Sequence, residues 1–189
     1  MGFVKATVEG GALKPIDGCS LIIPKFGDFP GKEVFFNILP DISDSKTASY
    51  STDLVMGRSS PMKSYVASDE RQIGIVFHFI VAGRSDIYTN IETVRMIQAM
   101  AYPRDSDDKL GVPFIPPPVC SFWCGRLLSS STNRLCVVLK NYSLKIPTDV
   151  AWDADLLCPV KFDLDTNWDV VYASSELPGA NKIIKFWGS

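Results

Sequence analysis

Apolar and polar positions alternate with a period of two over most of the chain, the signature of half-buried strands. The clearest stretch covers residues 71–82, where Ile73, Ile75, Phe77, Phe79 and Val81 fall on one face. The other face carries Gln72, Gly74, Val76, His78, Ile80 and Ala82, half of them apolar, which predicts partial cover on that side too. Residues 33–39 repeat the pattern, with Val34, Phe36 and Ile38 together, until Pro40 ends the strand. Residues 119–124 bring Cys120, Phe122 and Cys124 to one side. Residues 135–146 predict a long strand with Cys136, Val138, Tyr142, Leu144 and Ile146 on a shared face, interrupted by Lys140. Residues 156–164 predict another, with Leu156, Cys158, Val160, Phe162 and Leu164 inward and Lys161, Asp163 and Asp165 toward water. Trp168, Val170 and Tyr172 continue that alternation, and Leu21-Ile22-Ile23 fits a short strand.

One segment follows a helical period instead. Ile91, Val94, Ile97 and Ala101 form a stripe flanked by Met96 and Met100. Thr89-Asn90-Ile91-Glu92 has the form of a capping box and Pro103 is a stop, so a helix is expected over about 89–101. Residues 41–70, rich in Ser, Asp and Gly around Gly57-Arg58-Ser59-Ser60-Pro61, show no periodicity and predict a long polar loop. Such loops in a compact domain usually serve a function, here reaching a neighbouring subunit. A second loop is expected over 103–117, with Asp105, Asp107 and Asp108, before Pro116-Pro117-Pro118 leads into a strand. The apolar tail Ile183–Trp187 predicts docking on another surface. The fold class expected is mainly β, an antiparallel sandwich or barrel of about five or six strands with one α-helix.

Composition narrows the function. Of 189 residues, 46% are apolar and 11% aromatic, which excludes a disordered chain. A net charge of −2 without a basic block argues against a dedicated nucleic-acid binder. The longest strongly apolar run, 73–83, is too short to span a bilayer, so no membrane partner is expected. Met1-Gly2-Phe3-Val4-Lys5-Ala6 holds neither an apolar signal core nor the position-6 hydroxyl of a myristoylation site, and folding in a cytoplasm is expected.

Candidate chemistry is sparse. His78 is the only histidine, mid-strand between Phe77 and Phe79, which weighs against zinc enzymes and triad hydrolases. The five cysteines, Cys19, Cys120, Cys124, Cys136 and Cys158, are read mostly as buried thiols, with disulfides within or between chains as the alternative. Cys120 and Cys124 lack the spacing of a metal knuckle; a bond from either to Cys136 or Cys158 is open if those strands are neighbours. The Asp105, Asp107 and Asp108 cluster lacks the spacing of a calcium loop, and the sequon Asn141-Tyr142-Ser143 inside a strand is read as chance. No catalytic, cofactor-binding or metal-ligating residue is therefore assigned, and no enzyme activity or cofactor is expected.

The order of elements carries a resemblance. The strand at 33–39, the loop with Gly57-Arg58-Ser59-Ser60-Pro61, Tyr65, the strong strand 71–82, a helix ending Ala101-Tyr102-Pro103, then Pro116-Pro117-Pro118-Val119 and Trp123-x-Gly125 resemble the tube-fold proteins of contractile phage tails and related injection machines. The likeness is nearest to the ring proteins that join tail tube to baseplate hub. It spans about 33–173, which implies an N-terminal extension at 1–32, a tube-like β domain at 33–173 and a docking tail at 174–189. No peptidoglycan-binding LysM segment is recognisable. The resemblance implies a virion structural protein forming a homo-oligomeric, hexameric ring. Its partners would be tail-tube and baseplate hub or wedge proteins, and DNA would pass through the lumen without specific binding. The channel face should be neutral to acidic, and the strand with Lys161, Asp163 and Asp165 is one candidate for it. Two other readings remain: a tail or baseplate sandwich protein without a lumen role, and a carbohydrate- or peptide-binding module using Trp123, Trp152, Trp168 or Trp187.

Overall fold

A computed structural model describes residues 8–9, 12–27, 29–54, 56–57, 59–105, 114–129 and 133–172. Its elements in chain order are β1 (Val8–Glu9), β2 (Ala12–Leu13), β3 (Cys19–Ile23), β4 (Lys32–Phe35), β5 (Asp41–Ser45), β6 (Ala48–Asp53), β7 (Met62–Ser68), β8 (Gln72–Ile80), α1 (Arg84–Ala99), β9 (Arg104–Asp105), β10 (Phe114–Ile115), β11 (Cys120–Cys124), α2 (Gly125–Leu128), β12 (Leu135–Lys145), β13 (Trp152–Asp153), β14 (Cys158–Pro159) and β15 (Lys161–Val170). The protein is mainly β. Seven strands form one antiparallel sheet in the order β4-β3-β11-β12-β15-β8-β5.

The connection between the two outermost strands dictates the shape of that sheet. Flat, its first and last strands would stand roughly 29 Å apart, six spacings of about 4.8 Å. Residues 36–40 link β4 to β5, and the six steps from Phe35 to Asp41 reach about 21 Å at most. The sheet must curl, and Phe36 marks the inside of the curl. Its ring stacks on Phe77 of β8 at 5.3 Å and meets Phe122 of β11 edge-on at 6.5 Å, although those strands are three places apart. Hydrogen bonding does not close the curl, because β4 and β5 do not pair.

The concave side holds the core. Ile73, Ile75 and Phe77 of β8, Leu164 and Trp168 of β15, Val137 of β12, Cys120 and Phe122 of β11, and Leu21 of β3 are all buried. β3 lies between β4 and β11, so residues 19–23, within the stretch read as an extension, belong to the sheet itself. Helix α1 spans the hollow. It buries Ile87, Val94, Met96 and Ile97, Met100 beyond its end meets the Cys120 sulfur at 3.4 Å, and Asn90 donates to the Ile80 carbonyl at 3.2 Å. At its outer side Glu92 reaches Lys32 of the edge strand β4.

Four local expectations are corrected. The helix starts at Arg84 rather than at 89, since the Asp86 carboxylate accepts the Ala82 and Gly83 N–H groups at 3.0 and 3.1 Å and so caps its first turn. Thr89 is therefore interior and donates to the Ser85 carbonyl. Residues 41–70 are not a loop but β5 followed by the hairpin β6–β7, in which every strand side chain is exposed. In β12 the buried residues are Val137 and Leu139, whereas Cys136 is exposed. A bulge between Leu139 and Asn141 shifts the register by one, which returns Tyr142 and Leu144 to the concave side. Finally, 156–164 is not one strand: residues 154–157 turn, Leu157 adopts φ 48, and Leu156 and Val160 are exposed. Asp107, Asp108 and the tail 174–189 lie outside the described residues.

Candidate assembly surfaces

The convex side of the sheet is laced with opposite charges, set among half-buried apolar residues such as Val76, Ile80 and Val138. On three adjacent strands, His78 Nδ1 lies 2.7 Å from Asp163 and its Nε2 lies 3.3 Å from Asp41. One strand further, Lys145 pairs with Asp165 and Lys140 with Asp169, while Asn167 donates to the Asn141 side-chain oxygen at 2.9 Å. The period of two produces this layout: alternate residues of β15 that do not enter the core are Asp163, Asp165, Asn167 and Asp169. The candidate channel residues Lys161, Asp163 and Asp165 thus stand on the side away from the core, where Asp165 pairs with Lys145 and Asp163 meets His78.

A second cluster sits toward the β4 edge. The Ser20 hydroxyl donates to Glu33 at 2.8 Å, and Arg134 donates to Ser20 at 3.2 Å and to Glu33 at 3.0 Å. The Arg134 guanidinium also lies over the Trp123 ring, 5.7 Å from its centre. The Ser20 hydrogen bond, aided by Arg134, holds the Glu33 carboxyl below its ordinary value of 4.5. A carboxyl lowered on folding stabilises the fold above its unfolded pKa, and that contribution is lost as pH falls through the folded pKa. Glu33→Gln should therefore melt lower than the parent at neutral pH. The gap should shrink below pH 4.5, which melting curves recorded across pH would read.

The sheet edges and the hairpin complete the surface. Among the described residues, β4 and β5 each have a strand neighbour on one side alone. Phe35 on β4 is 51% exposed and Leu39 beyond it is also exposed. The β6–β7 ribbon carries an edge-to-face Tyr50–Tyr65 pair at 5.8 Å, with the Tyr65 hydroxyl 2.8 Å from Ser68 Oγ. Gly57, at φ 86, serves the left-handed turn at its tip. A two-stranded ribbon exposed on both faces is marginal by itself.

The structure separates other sequence candidates. His78 is on the convex side, while Cys120 and Cys124 face the core, so neither thiol meets the imidazole. Cys136 is opposite Ser121 and outside the core, and Cys158 is buried in β14, so neither is placed against Cys120 or Cys124. Instead Cys124 stands directly across from Cys19, a pairing that no local spacing announces. Trp168 is fully buried, Trp123 is half-buried under Arg134 and Trp152 is exposed elsewhere, so these indoles do not gather into a sugar platform. An apolar groove of about 240 Å³ runs between α1 and β12–β15, lined by Ile91, Val94, Leu144, Trp152, Leu156 and Phe162 among others. Among the described residues no cluster of His, Cys, Asp or Glu has metal-binding geometry, and no helix is long and apolar enough to cross a membrane.

No family model matches this chain, and no curated protein matches it.

Proposed function

We propose that this chain is a structural ring component of a contractile phage tail, at the junction of tail tube and baseplate hub. In this reading about six copies join edge to edge, and their convex, charge-paired faces line a channel. The observation that carries it is the curled seven-stranded sheet left open between β4 and β5, with core on one side and a row of paired charges on the other. Open edges are a liability in a monomer and a joint in a ring. Carboxylates paired with lysines along β15 leave a face with little net attraction for phosphates, as a conduit for DNA requires. The β6–β7 ribbon, exposed on both faces, suits contact with a neighbouring subunit or ring.

Purified full chain, alone and mixed with a tail-tube protein, should give closed rings of about six subunits with a central channel by electron microscopy and native mass spectrometry. A species monomeric at all concentrations that adds to neither tube nor hub protein would overturn the assignment.

A further inference from the structure

We propose that Cys19 and Cys124 are a built-in dithiol site, poised to close as a cross-strand disulfide when the protein meets a small-molecule disulfide such as glutathione disulfide.

Geometry is the argument. In the β3–β11 ladder Cys124 is the direct partner of Cys19, and both side chains lie on the concave face. The next pair outward, Gly125 and Gly18, is hydrogen-bonded, with the Gly125 N–H donating to the Gly18 carbonyl at 2.7 Å. Antiparallel pairs alternate between hydrogen-bonded and non-hydrogen-bonded, so Cys19 and Cys124 form a non-hydrogen-bonded pair, the kind with Cα atoms about 4.5 Å apart and side chains close. Disulfides need Cα separations of about 4.4–6.8 Å, so the ladder already supplies the spacing. Both flanking residues are glycines in the left-handed region, Gly18 at φ 98 and Gly125 at φ 58, and a Cβ at either would meet nothing within 4 Å. The seam therefore ends on two pliable joints that can absorb the small rotation bond formation requires.

The two sulfurs also differ in reactivity. Cys19 is almost fully buried, whereas Cys124 is half-exposed. The hydrogen bond between them lowers the Cys124 thiol below its ordinary value, and the same contact, aided by burial, raises Cys19. Cys124 is thus the attacking thiolate. It displaces one glutathione thiolate and forms a mixed disulfide. With Cys124 no longer an anion, its hold on the Cys19 proton is gone and burial alone opposes ionisation. Cys19 passes its proton to the glutathione thiolate released first, attacks the Cys124 sulfur and expels the second glutathione thiolate, which takes up the proton that Cys124 had given to solvent. Two protein thiols and one glutathione disulfide give one protein disulfide and two glutathione thiols; the protein is oxidised by two electrons and glutathione disulfide is reduced. Closure would staple β3, which β4 edges, to β11 across a long loop, without disturbing the convex face.

The test is independent of the ring assignment. Full-length protein is incubated with glutathione disulfide and mapped by non-reducing peptide mass spectrometry, alongside Cys124→Ala, Cys19→Ala and Cys136→Ala. The expected product is a Cys19–Cys124 linked peptide short of two hydrogens, with a melting temperature raised by roughly 5–10 °C. That rise should vanish in Cys124→Ala and persist in Cys136→Ala. Should Cys19→Ala fail to fold, the peptide map of the parent and the Cys124→Ala melt still decide. A stable glutathione adduct on Cys124, unreacted Cys19, or linkage through Cys136 instead would each overturn the proposal.

Discussion

Trp168→Ala is expected to remove roughly 4 kcal/mol of folding stability, a large part of the total for a domain of this size. The side chain is fully buried, facing Leu139 of β12 and Ile73 of β8 across the two best-paired ladders in the sheet. Its indole N–H donates to Thr166 Oγ1 at 2.7 Å, and the Thr166 hydroxyl donates in turn to the Ile75 carbonyl at 2.8 Å. Truncation opens a cavity at the centre of the curl, where the strands on both sides are tied by backbone ladders and cannot collapse into it. Thr166 keeps its bond to Ile75, so the cost is mainly lost packing. Urea unfolding followed by circular dichroism should show the midpoint falling by about 2 M at an unchanged slope. A loss below about 1 kcal/mol would mean that this ring is not the centre of the core. Trp168→Phe should cost less, because most of the buried area survives.

Where burial and chain pattern coincide, the fold is legible in the sequence. β8 alternates without a break, and Ile73, Ile75, Phe77 and Phe79 are the buried set that the period of two selects. β12 misleads because a bulge at Lys140 changes its phase mid-strand; Cys136 and Val138 look continuous with Tyr142 and Leu144 in sequence but stand on the other face. β6 and β7 leave no trace because neither face is buried, so their few apolar residues, Met62 and Val66 among them, follow no alternation and only backbone pairing defines the strands. The helix start misleads for a different reason: two carboxylate-bearing turns compete as caps, and the fold uses Asp86 with Gly83 while Thr89 and Glu92 fall within the helix.

The candidate surfaces are less legible still, because they are made by long-range register. His78 meets Asp163 and Asp41 from strands 85 and 37 residues away. The Ser20–Glu33–Arg134 cluster joins positions more than 100 residues apart. Cys19 and Cys124 are brought together only by the β3–β11 ladder, which a reader who starts the domain at residue 33 cannot anticipate.

If the proposed ring joins at β4, Phe35→Lys is expected to abolish assembly while leaving the fold intact. Phe35 is half-exposed on the edge strand β4, directly opposite Ser20 of β3, and a neighbouring copy joined at this edge would cover the ring. A lysine there removes the apolar contact and must either shed its hydration or hold the neighbour away, the means by which natural edge strands refuse partners. The combined loss is roughly 3 kcal/mol per joint, on the order of 100-fold in each contact's equilibrium constant. A closed ring needs every joint, so the deficit multiplies around the circle and the variant should sediment as a monomer where the parent forms rings. Its circular dichroism should be unchanged, since Phe35 lies outside the core. Tyr88→Lys, on an exposed turn of α1, is the matched control and should assemble normally. Rings of undiminished stability from Phe35→Lys would show that subunits do not meet at β4, and the channel would then have to be built from another surface.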